Sequence, residues 1–311
     1  MSELSSASMR AGQPSSPAAE APVCVAPVGD RCGEGAVWHA GEQALYWTDI
    51  NRFLIHRYDE RHRTVATWIF DEPVTALTLT DSEDWLVAVF GSRAQLWQPK
   101  SNTLGRVLFT LPDWPRMRCN DARPDPRGSL WIGTMRNNVG QDGEDVDVPF
   151  EGGILYRIDP DGSASIWKEG IGISNTLAWS PGNDSFYFGD TVANVIYRFE
   201  YDLASGSISS EQPFLSGLQL GLPDGSAMDK EGCLWVTRPH ASCIVRVDRA
   251  GTVRHKLDLP VPNPTTCTFG GLDSKTLYIT SAGTGQRLAG SLFAAATNVA
   301  GLPENRFRAF G

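Results

Sequence analysis

A short apolar strand pattern recurs six times along the chain. Each copy begins with an apolar residue, continues through an aromatic or aliphatic residue and a further apolar residue, and ends in small or polar residues. The copies start at Leu45, Trp85, Leu130, Phe186, Leu234 and Leu277, so successive copies are 40 to 56 residues apart. Short strands repeated at roughly this period are typical of a β-propeller, in which each repeat forms one four-stranded sheet.

A second strand follows several of these copies and ends in a polar turn, at residues 54–59, 153–159, 195–199 and 243–248. Helical periodicity is absent over any window of a dozen residues, which argues against helical repeats. We therefore predict an all-β fold, a six-bladed β-propeller formed as one domain by residues 22–311. We expect residues 1–21 to be a disordered tail, and residues 22–28 to complete the last blade beside residues 306–310.

Composition narrows the functional classes. The 311 residues are 41% hydrophobic and carry a net charge of −9 without a basic cluster, which argues against a nucleic-acid partner. No apolar run approaches the roughly 18 residues of a membrane span, and residues 1–21 do not resemble a secretory signal. The six cysteines form no CxxC pair. We expect reduced thiols, a cytoplasmic location, no membrane contact, and a monomer or weak homo-oligomer.

Polar residues occupy one register of the repeat. In five blades, counting back 11 residues from the centre of the strand copy reaches the equivalent position. In the first blade the loop is one residue longer, so a count of 12 reaches Glu34. The other five are Thr75, Asn120, Asn175, Asp224 and Cys267. Because equivalent positions of the innermost strands converge on the axis of a propeller, we predict a polar ring at one mouth of the channel.

Four members of this predicted ring carry oxygen ligands that suit a hard cation: Glu34, Asn120, Asn175 and Asp224. Asn and Asp also begin turns frequently, and each residue alone has that simpler explanation. Converging buried carboxylates, however, are costly without a cation. The register therefore predicts one divalent ion on the axis, and the sequence leaves its identity open among Ca, Zn, Mn, Mg and Fe(II).

Five segments resemble the gluconolactonase, regucalcin and sugar-lactonase family of six-bladed propellers: CGEGAVWH, RCNDARPDPRGSLWIGTM, GISNTLAWSP, GLPDGSAMDKEGCLWVT and CTFGGLDSKTLYITSA. The resemblance implies that Glu34, Asn175 and Asp224 bind one divalent metal ion. It also implies that Arg118 and Asn120 bind substrate and that Asp224 is the general base. Two segments depart from the family pattern, residues 238–242 after the fifth-blade strand and the polar insert at residues 136–151. The acidic part of that insert has no EF-hand spacing, and we interpret it as a solvated loop.

The function implied by the resemblance is metal-dependent hydrolysis of a small-molecule sugar lactone to the aldonic acid. Whether Asp224 or the ion itself activates the water stays open, as do the sugar and the role of His240. Three alternatives also stay open. They are another metal-dependent esterase or phosphotriesterase on the same ring, a calcium-binding regulator, and a protein-binding propeller of the class named after the Tyr-Trp-Thr-Asp tetrapeptide that occurs once here, at residues 46–49.

Overall fold

A computed structural model describes residues 18–310 and contains 25 strands within that range. The strands of the first half are β1 (Val23–Ala26), β2 (Gly33–His39), β3 (Ala44–Asp49), β4 (Leu54–Asp59), β5 (Thr64–Ile69), β6 (Val74–Thr80), β7 (Leu86–Phe90), β8 (Arg93–Gln98), β9 (Thr103–Thr110), β10 (Met117–Pro124), β11 (Leu130–Arg136), β12 (Gly153–Ile158) and β13 (Ala164–Ile171). Those of the second half are β14 (Ser174–Trp179), β15 (Ser185–Asp190), β16 (Val195–Asp202), β17 (Ser207–Ser216), β18 (Ser226–Met228), β19 (Leu234–Arg238), β20 (Cys243–Val247), β21 (Val253–Asp258), β22 (Pro264–Gly270), β23 (Thr276–Ser281), β24 (Leu292–Ala296) and β25 (Arg306–Phe307). A single turn of 3-10 helix spans Pro99–Ser101.

The strands form six sheets, and the predicted six-bladed propeller is confirmed. Five blades use four consecutive strands each: β2 to β5, β6 to β9, β10 to β13, β14 to β17 and β18 to β21. The sixth blade combines β22, β23 and β24 with β1, which pairs antiparallel with β24. The predicted closure of the last blade by the N-terminal segment is therefore correct, and the ring leaves no open junction between its first and last blades.

The predicted partner of the C-terminal segment is wrong. Strand β25 pairs in parallel with the innermost strand β6 of blade 2, where Arg306 faces Leu79 and Phe307 faces Thr80. Strand β24 already has β23 on one edge and β1 on the other, so the sixth sheet offers β25 no place between them. The chain instead crosses the channel end opposite the predicted ring, where Gly301 bridges to Asp229.

The predicted tail falls mostly outside the described residues, since the structure describes only its last four positions, 18–21. Within them, Ala19 forms a bridge to Thr297 and the Glu20 amide donates to the Ala296 carbonyl at 2.8 Å. Pairing with the last blade thus begins before the predicted boundary at residue 22.

Hydrophobic packing lies between the blades. The described residues form six buried clusters, and each cluster joins one blade to the next around the ring. Three tryptophans in these clusters keep their indole N–H groups bonded to buried carboxylates: Trp47 to Asp30, Trp131 to Asp125 and Trp235 to Asp229. The strand copies are therefore apolar because both faces of each sheet are covered, and these three tryptophans satisfy their indole N–H groups internally.

Within residues 18–310 there is no helix with the length and apolar character needed to cross a membrane. The six cysteines are all free thiols. These thiols include four that are buried: Cys119, Cys233, Cys243 and Cys267.

Candidate functional site

The strand ladders fix which residue of each blade stands at the ring. In five blades, one residue near the start of the first strand pairs with a residue near the end of the second strand, and the next residue in the chain is the ring residue. These pairs are Gly33 with Asp49, Val74 with Phe90, Cys119 with Thr134, Ser174 with Asp190 and Pro264 with Ser281. The ring residues are then Glu34, Thr75, Asn120, Asn175 and Thr265. In the fifth blade Asp224 takes this place, because its amide donates to the Thr237 carbonyl at 3.2 Å.

Cys267 does not belong to the ring, so the predicted register is wrong in the sixth blade. The hairpin of β22 and β23 from Pro264 to Ser281 is two residues longer than the equivalent hairpin from Cys119 to Thr134. Counting back 11 residues from Tyr278 therefore reaches Cys267, which lies two residues after the ring position in the chain. The Cys267 thiol is fully buried in the cluster between blades 5 and 6, and Thr265 takes the ring position.

Two half-buried carboxyl groups face the same space. Burial raises the pKa of Glu34, and the negative charges of Asp224 and Asp121 raise it further. Burial likewise raises the pKa of Asp224 to about 8, with a further contribution from Asp121. The positive charge of Arg118 offsets only part of the shift of Glu34, and no cationic group among the described residues offsets that of Asp224. A bound divalent cation would lower the pKa of both carboxyl groups.

The two ring amides are fixed by hydrogen bonds to each other and to the neighbouring blade. The Asn120 Nδ2 donates to the Ser174 carbonyl at 2.7 Å and to Asn175 Oδ1 at 3.2 Å. The Asn175 Nδ2 donates to Thr191 Oγ1 at 2.9 Å, and Thr191 in turn donates to the Pro223 carbonyl at 2.7 Å. These bonds fix the orientation of both amides. The two N–H groups of Asn120 point toward blade 4, and the Asn175 N–H group points toward Thr191.

Arg118 is buried beside Asn120 and is engaged mainly with the protein. Its Nη1 donates to Asn120 Oδ1 at 2.6 Å and to the Cys119 carbonyl at 3.0 Å. Its Nε and Nη2 both donate to Asn138 Oδ1 at 3.0 Å. Burial lowers the pKa of Arg118 to about 10, so the group is cationic at neutral pH. Arg118 therefore orients Asn120, and one N–H on Nη2 remains for an external oxygen.

The polar insert forms a short irregular hairpin closed by one bridge, and its acidic part, residues 141–151, is mostly exposed, so the predicted solvated loop is confirmed. Val139 bridges to Asp145, and the Val146 amide donates to the Asn138 carbonyl at 2.9 Å. The tip reaches blade 1, where Asn51 Nδ2 donates to the Gly143 carbonyl and to Asp145 Oδ1, both at 2.9 Å. The hairpin thus extends from Arg118 in blade 3 to blade 1 over the ring side of the channel.

The donor set fits a hard divalent cation. Among residues 18–310 there is no group of three or more His, Cys, Asp or Glu residues placed to hold a metal ion. The ring has two carboxylates and the two amides of Asn120 and Asn175, while the hydroxyls of Thr75 and Thr265 donate to main-chain carbonyls. Carboxylate and amide oxygens are the ligands that Ca²⁺, Mg²⁺ and Mn²⁺ prefer in proteins.

The structure thus brings all five predicted site residues into one region: Glu34, Arg118, Asn120, Asn175 and Asp224. Sequence reasoning missed Thr191, Asn138 and Thr265. Thr265 could have been found by aligning the start of each hairpin instead of counting from its second strand. The contacts of Thr191 and Asn138 leave no signal in the repeat pattern. His240 lies in the loop after β19 with a φ of 66°, and its amide donates to Asn263 Oδ1.

Comparison with known proteins gives consistent results. The chain is 34% identical to a pentonolactonase of Haloferax volcanii over 257 residues, which cover 81% of this chain and 82% of the relative. It is 32% identical over 287 residues to a 6-deoxy-6-sulfogluconolactonase of Pseudomonas putida, covering 88% and 94%. A crystal structure titled as a calcium-binding protein, regucalcin, from Agrobacterium tumefaciens shares the fold with a TM-score of 0.83 at 24% identity, covering 92% and 96%.

The family model described as the SMP-30/Gluconolactonase/LRE-like region matches residues 32–283, a segment that includes every ring residue and the hairpin insert. The match covers most of the chain, and the two lactonases align along most of their own length. The chain belongs to the SMP-30/gluconolactonase/LRE-like family.

Proposed function

We propose that the protein is a metal-dependent hydrolase that opens a sugar lactone to the corresponding aldonic acid. One divalent ion is held on the propeller axis by Glu34, Asn175 and Asp224. Arg118 and Asn120 form the adjoining substrate-binding wall, and Asp224 is the general base. Two relatives with lactonase names support the reaction class, since they align over more than four fifths of this chain.

One observation carries the proposal, namely the position of two mutually repelling carboxylates at the same register as two oriented amides. Burial and like charge raise the pKa of both Glu34 and Asp224. A purely structural role for these groups would favour replacement by neutral side chains, because uncompensated buried charge destabilises a fold. A site that binds a divalent cation explains why both carboxylates are present.

The side chains have distinct tasks in the proposed reaction. The ion, when bound, supplies positive charge that polarises the ester carbonyl and stabilises the developing oxyanion. Asp224 accepts a proton from the attacking water as the new C–O bond forms at the carbonyl carbon. The ring C–O bond then breaks, and Asp224 returns the proton to the departing alkoxide oxygen. The free N–H of Arg118 donates to a substrate oxygen, while Asn120 holds Asn175 in place.

A calcium-binding protein without lactonase activity is the second candidate. The structural neighbour titled as a calcium-binding regucalcin favours it, because that protein has the same fold over 92% of this chain. A non-enzymatic binding role explains the oxygen-rich ring but gives no task to the remaining N–H of Arg118. We further propose that the protein acts in the cytoplasm, which the six free thiols support.

The decisive experiment is a metal-resolved activity screen. Purified protein is stripped with EDTA, reconstituted separately with Ca²⁺, Zn²⁺, Mn²⁺, Mg²⁺ or Fe²⁺, and assayed on a panel of pentono- and hexonolactones with spontaneous hydrolysis subtracted. We expect turnover of at least one lactone only with added ion, and loss of both turnover and ion binding in Glu34→Gln.

The matched control is Thr75→Ala, which changes the ring residue of blade 2 without removing a proposed ligand. Thr75 donates to the Val89 carbonyl at 3.3 Å and has no carboxylate or amide oxygen. We expect it to retain ion affinity and turnover. Ion binding without hydrolysis of any lactone would support the calcium-binding candidate instead.

A further inference from the structure

Asp224 differs from the other polar ring residues in the way its backbone is held. The others lie inside innermost strands: Glu34, Asn120 and Asn175. Asp224 instead precedes β18 and follows residues 217–223, which form no strand. The Asp224 amide donates a hydrogen bond to the Thr237 carbonyl, and the Asp224 carbonyl accepts one from Thr176 Oγ1 at 2.5 Å. Together with the bond from Thr191 to the Pro223 carbonyl, these contacts fix the chain at Asp224, and the direction from which it reaches the axis depends on what holds the preceding loop.

Arg238, the last residue of β19, holds that loop. Its Nε donates to the Leu220 carbonyl at 2.7 Å, and its Nη2 donates to the carbonyls of Leu218 at 3.1 Å and Gly221 at 2.8 Å. The same Nη2 lies 3.0 Å from Asn194 Oδ1, which accepts a hydrogen bond. Three main-chain oxygens of one irregular loop thus converge on one guanidinium.

Burying the charged guanidinium of Arg238 costs free energy of solvation. Arg238 is only 1% exposed, and burial lowers its pKa to about 10, which still leaves it charged at neutral pH. The four acceptors described above are neutral oxygens and do not cancel its charge. A lysine would place three donors on a flexible stem, whereas the planar guanidinium directs its N–H groups to several fixed acceptors at once. The arrangement therefore favours a holding role that other side chains would perform less well.

The same loop, residues 217–223, also packs against Pro239, the residue that follows Arg238. Gly221 has a φ of 62°, and a Cβ at this position would overlap the Pro239 carbonyl oxygen. The Leu222 amide donates to that same carbonyl at 3.3 Å. A glycine is therefore required for both conformation and space where the loop meets residues 238–241.

We propose that Arg238 is a positioning residue for Asp224. It holds residues 218–221 so that the chain delivers the Asp224 carboxylate to the axis with the orientation that ion binding needs. Arg238 contacts neither the ion nor the substrate. The inference rests on the proposed function, because it assigns Asp224 to the ion.

The first test measures ion affinity by calorimetry for the wild type, Arg238→Ala and Arg238→Lys, together with the thermal unfolding midpoint in EDTA. Loss of an outer partner of a metal ligand typically weakens binding by about 10-fold to 100-fold. Because Arg238 acts on Asp224 through the loop, we expect a loss near the lower end of that range in Arg238→Ala and a smaller one in Arg238→Lys, which retains part of the donor set. Lactone turnover should be recovered by excess ion, with little change in KM.

The second test uses two glycines of the same loop as a matched pair. Gly221→Ala introduces the overlap with Pro239, whereas Gly217→Ala imposes a similar positive φ where no atom lies within 4 Å. We expect ion affinity to fall in Gly221→Ala and to be retained in Gly217→Ala, although both backbones are strained. This comparison separates displacement of the loop from a general loss of stability.

The possible results distinguish this inference from the proposed function. Wild-type ion affinity in both Arg238→Ala and Gly221→Ala, with only a lower unfolding midpoint in EDTA, would overturn the positioning role and leave the lactonase proposal intact. Failure of the wild type to bind any ion would overturn both. Ion binding without lactone hydrolysis would overturn the hydrolase assignment alone, and the affinities of the variants would still decide the role of Arg238.

Discussion

Asp224→Asn should stabilise the ion-free protein at alkaline pH while weakening ion binding. The folded-state pKa of Asp224 is raised to about 8 from an ordinary 3.8. Between these values the folded protein binds a proton that the unfolded chain has lost. Because the folded state then binds more protons, the unfolding free energy falls as pH rises through this window and levels off above it. Asparagine carries no charge and removes this dependence.

The size of the effect follows from the shift. Each pKa unit corresponds to about 1.36 kcal/mol, so the full shift sets an upper limit of roughly 6 kcal/mol. The carboxyl group is half-buried, and solvent screening reduces its contribution, so we expect about 2 to 3 kcal/mol between pH 5 and pH 8.5. For a chain of this size, that corresponds to a difference in Tm on the order of 3 to 5 °C.

The assay is thermal and urea unfolding in EDTA at the two pH values, with Asp161→Asn as the control. Asp161 is exposed, and hydrogen bonds from Ser163 lower its pKa, so its removal should not reproduce the gain at high pH. Added ion should reverse the order, because an ion at 100 times its Kd stabilises the wild type by about 2.7 kcal/mol. An equal change in stability with pH for wild type and Asp224→Asn would refute the reasoning.

Three further predictions concern other parts of the site and fold. Asn120→Ala should lower kcat/KM by roughly 10-fold or more and weaken ion affinity, measured by titration, because Asn120 donates a hydrogen bond to the proposed ligand Asn175. Gly143→Ala would place a Cβ against the Asn51 carbonyl, so the hairpin tip should detach from blade 1 and KM should rise by a larger factor than ion affinity falls. Glu304→Gln should lower the unfolding free energy by about 3 kcal/mol, seen as a lower urea midpoint, because Glu304 forms two bonds of 3.1 Å with the largely buried Arg123.

The blade architecture could be predicted because the same physical demand acts on every repeat. Each second strand is covered on both faces by neighbouring blades, so it must be apolar over its first three to four residues. In β3, β11 and β19 this produces the aromatic residues Tyr46, Trp131 and Trp235, all at most 1% exposed. The position of β25 left no such signal, because a two-residue parallel pairing needs no apolar repeat of its own.

The ring could be predicted only where the number of residues between the ring position and the centre of the second strand is constant. Counting from the second strand succeeded for Asn120 and Asp224 and failed at Cys267, because the β22 hairpin contains two more residues than the β10 hairpin. The sequence shows the polar residues but not the bulges that decide which of them faces the axis. A bulge of one residue reverses the facing of every residue beyond it, so register needs the ladder itself.

The orientation of the site residues depends on contacts between distant parts of the chain, and this is why it lay beyond the sequence. Hydrogen bonds run without interruption from Asn138 in the hairpin through Arg118, Asn120 and Asn175 to Thr191, which bonds the Pro223 carbonyl next to Asp224. Each link joins groups of fixed donor and acceptor character, so a rotated amide at one point leaves an unsatisfied group at the next. The hairpin and the proposed ion ligands are consequently parts of one network. A substitution at Arg118 is therefore expected to alter the orientation of Asn175 as well.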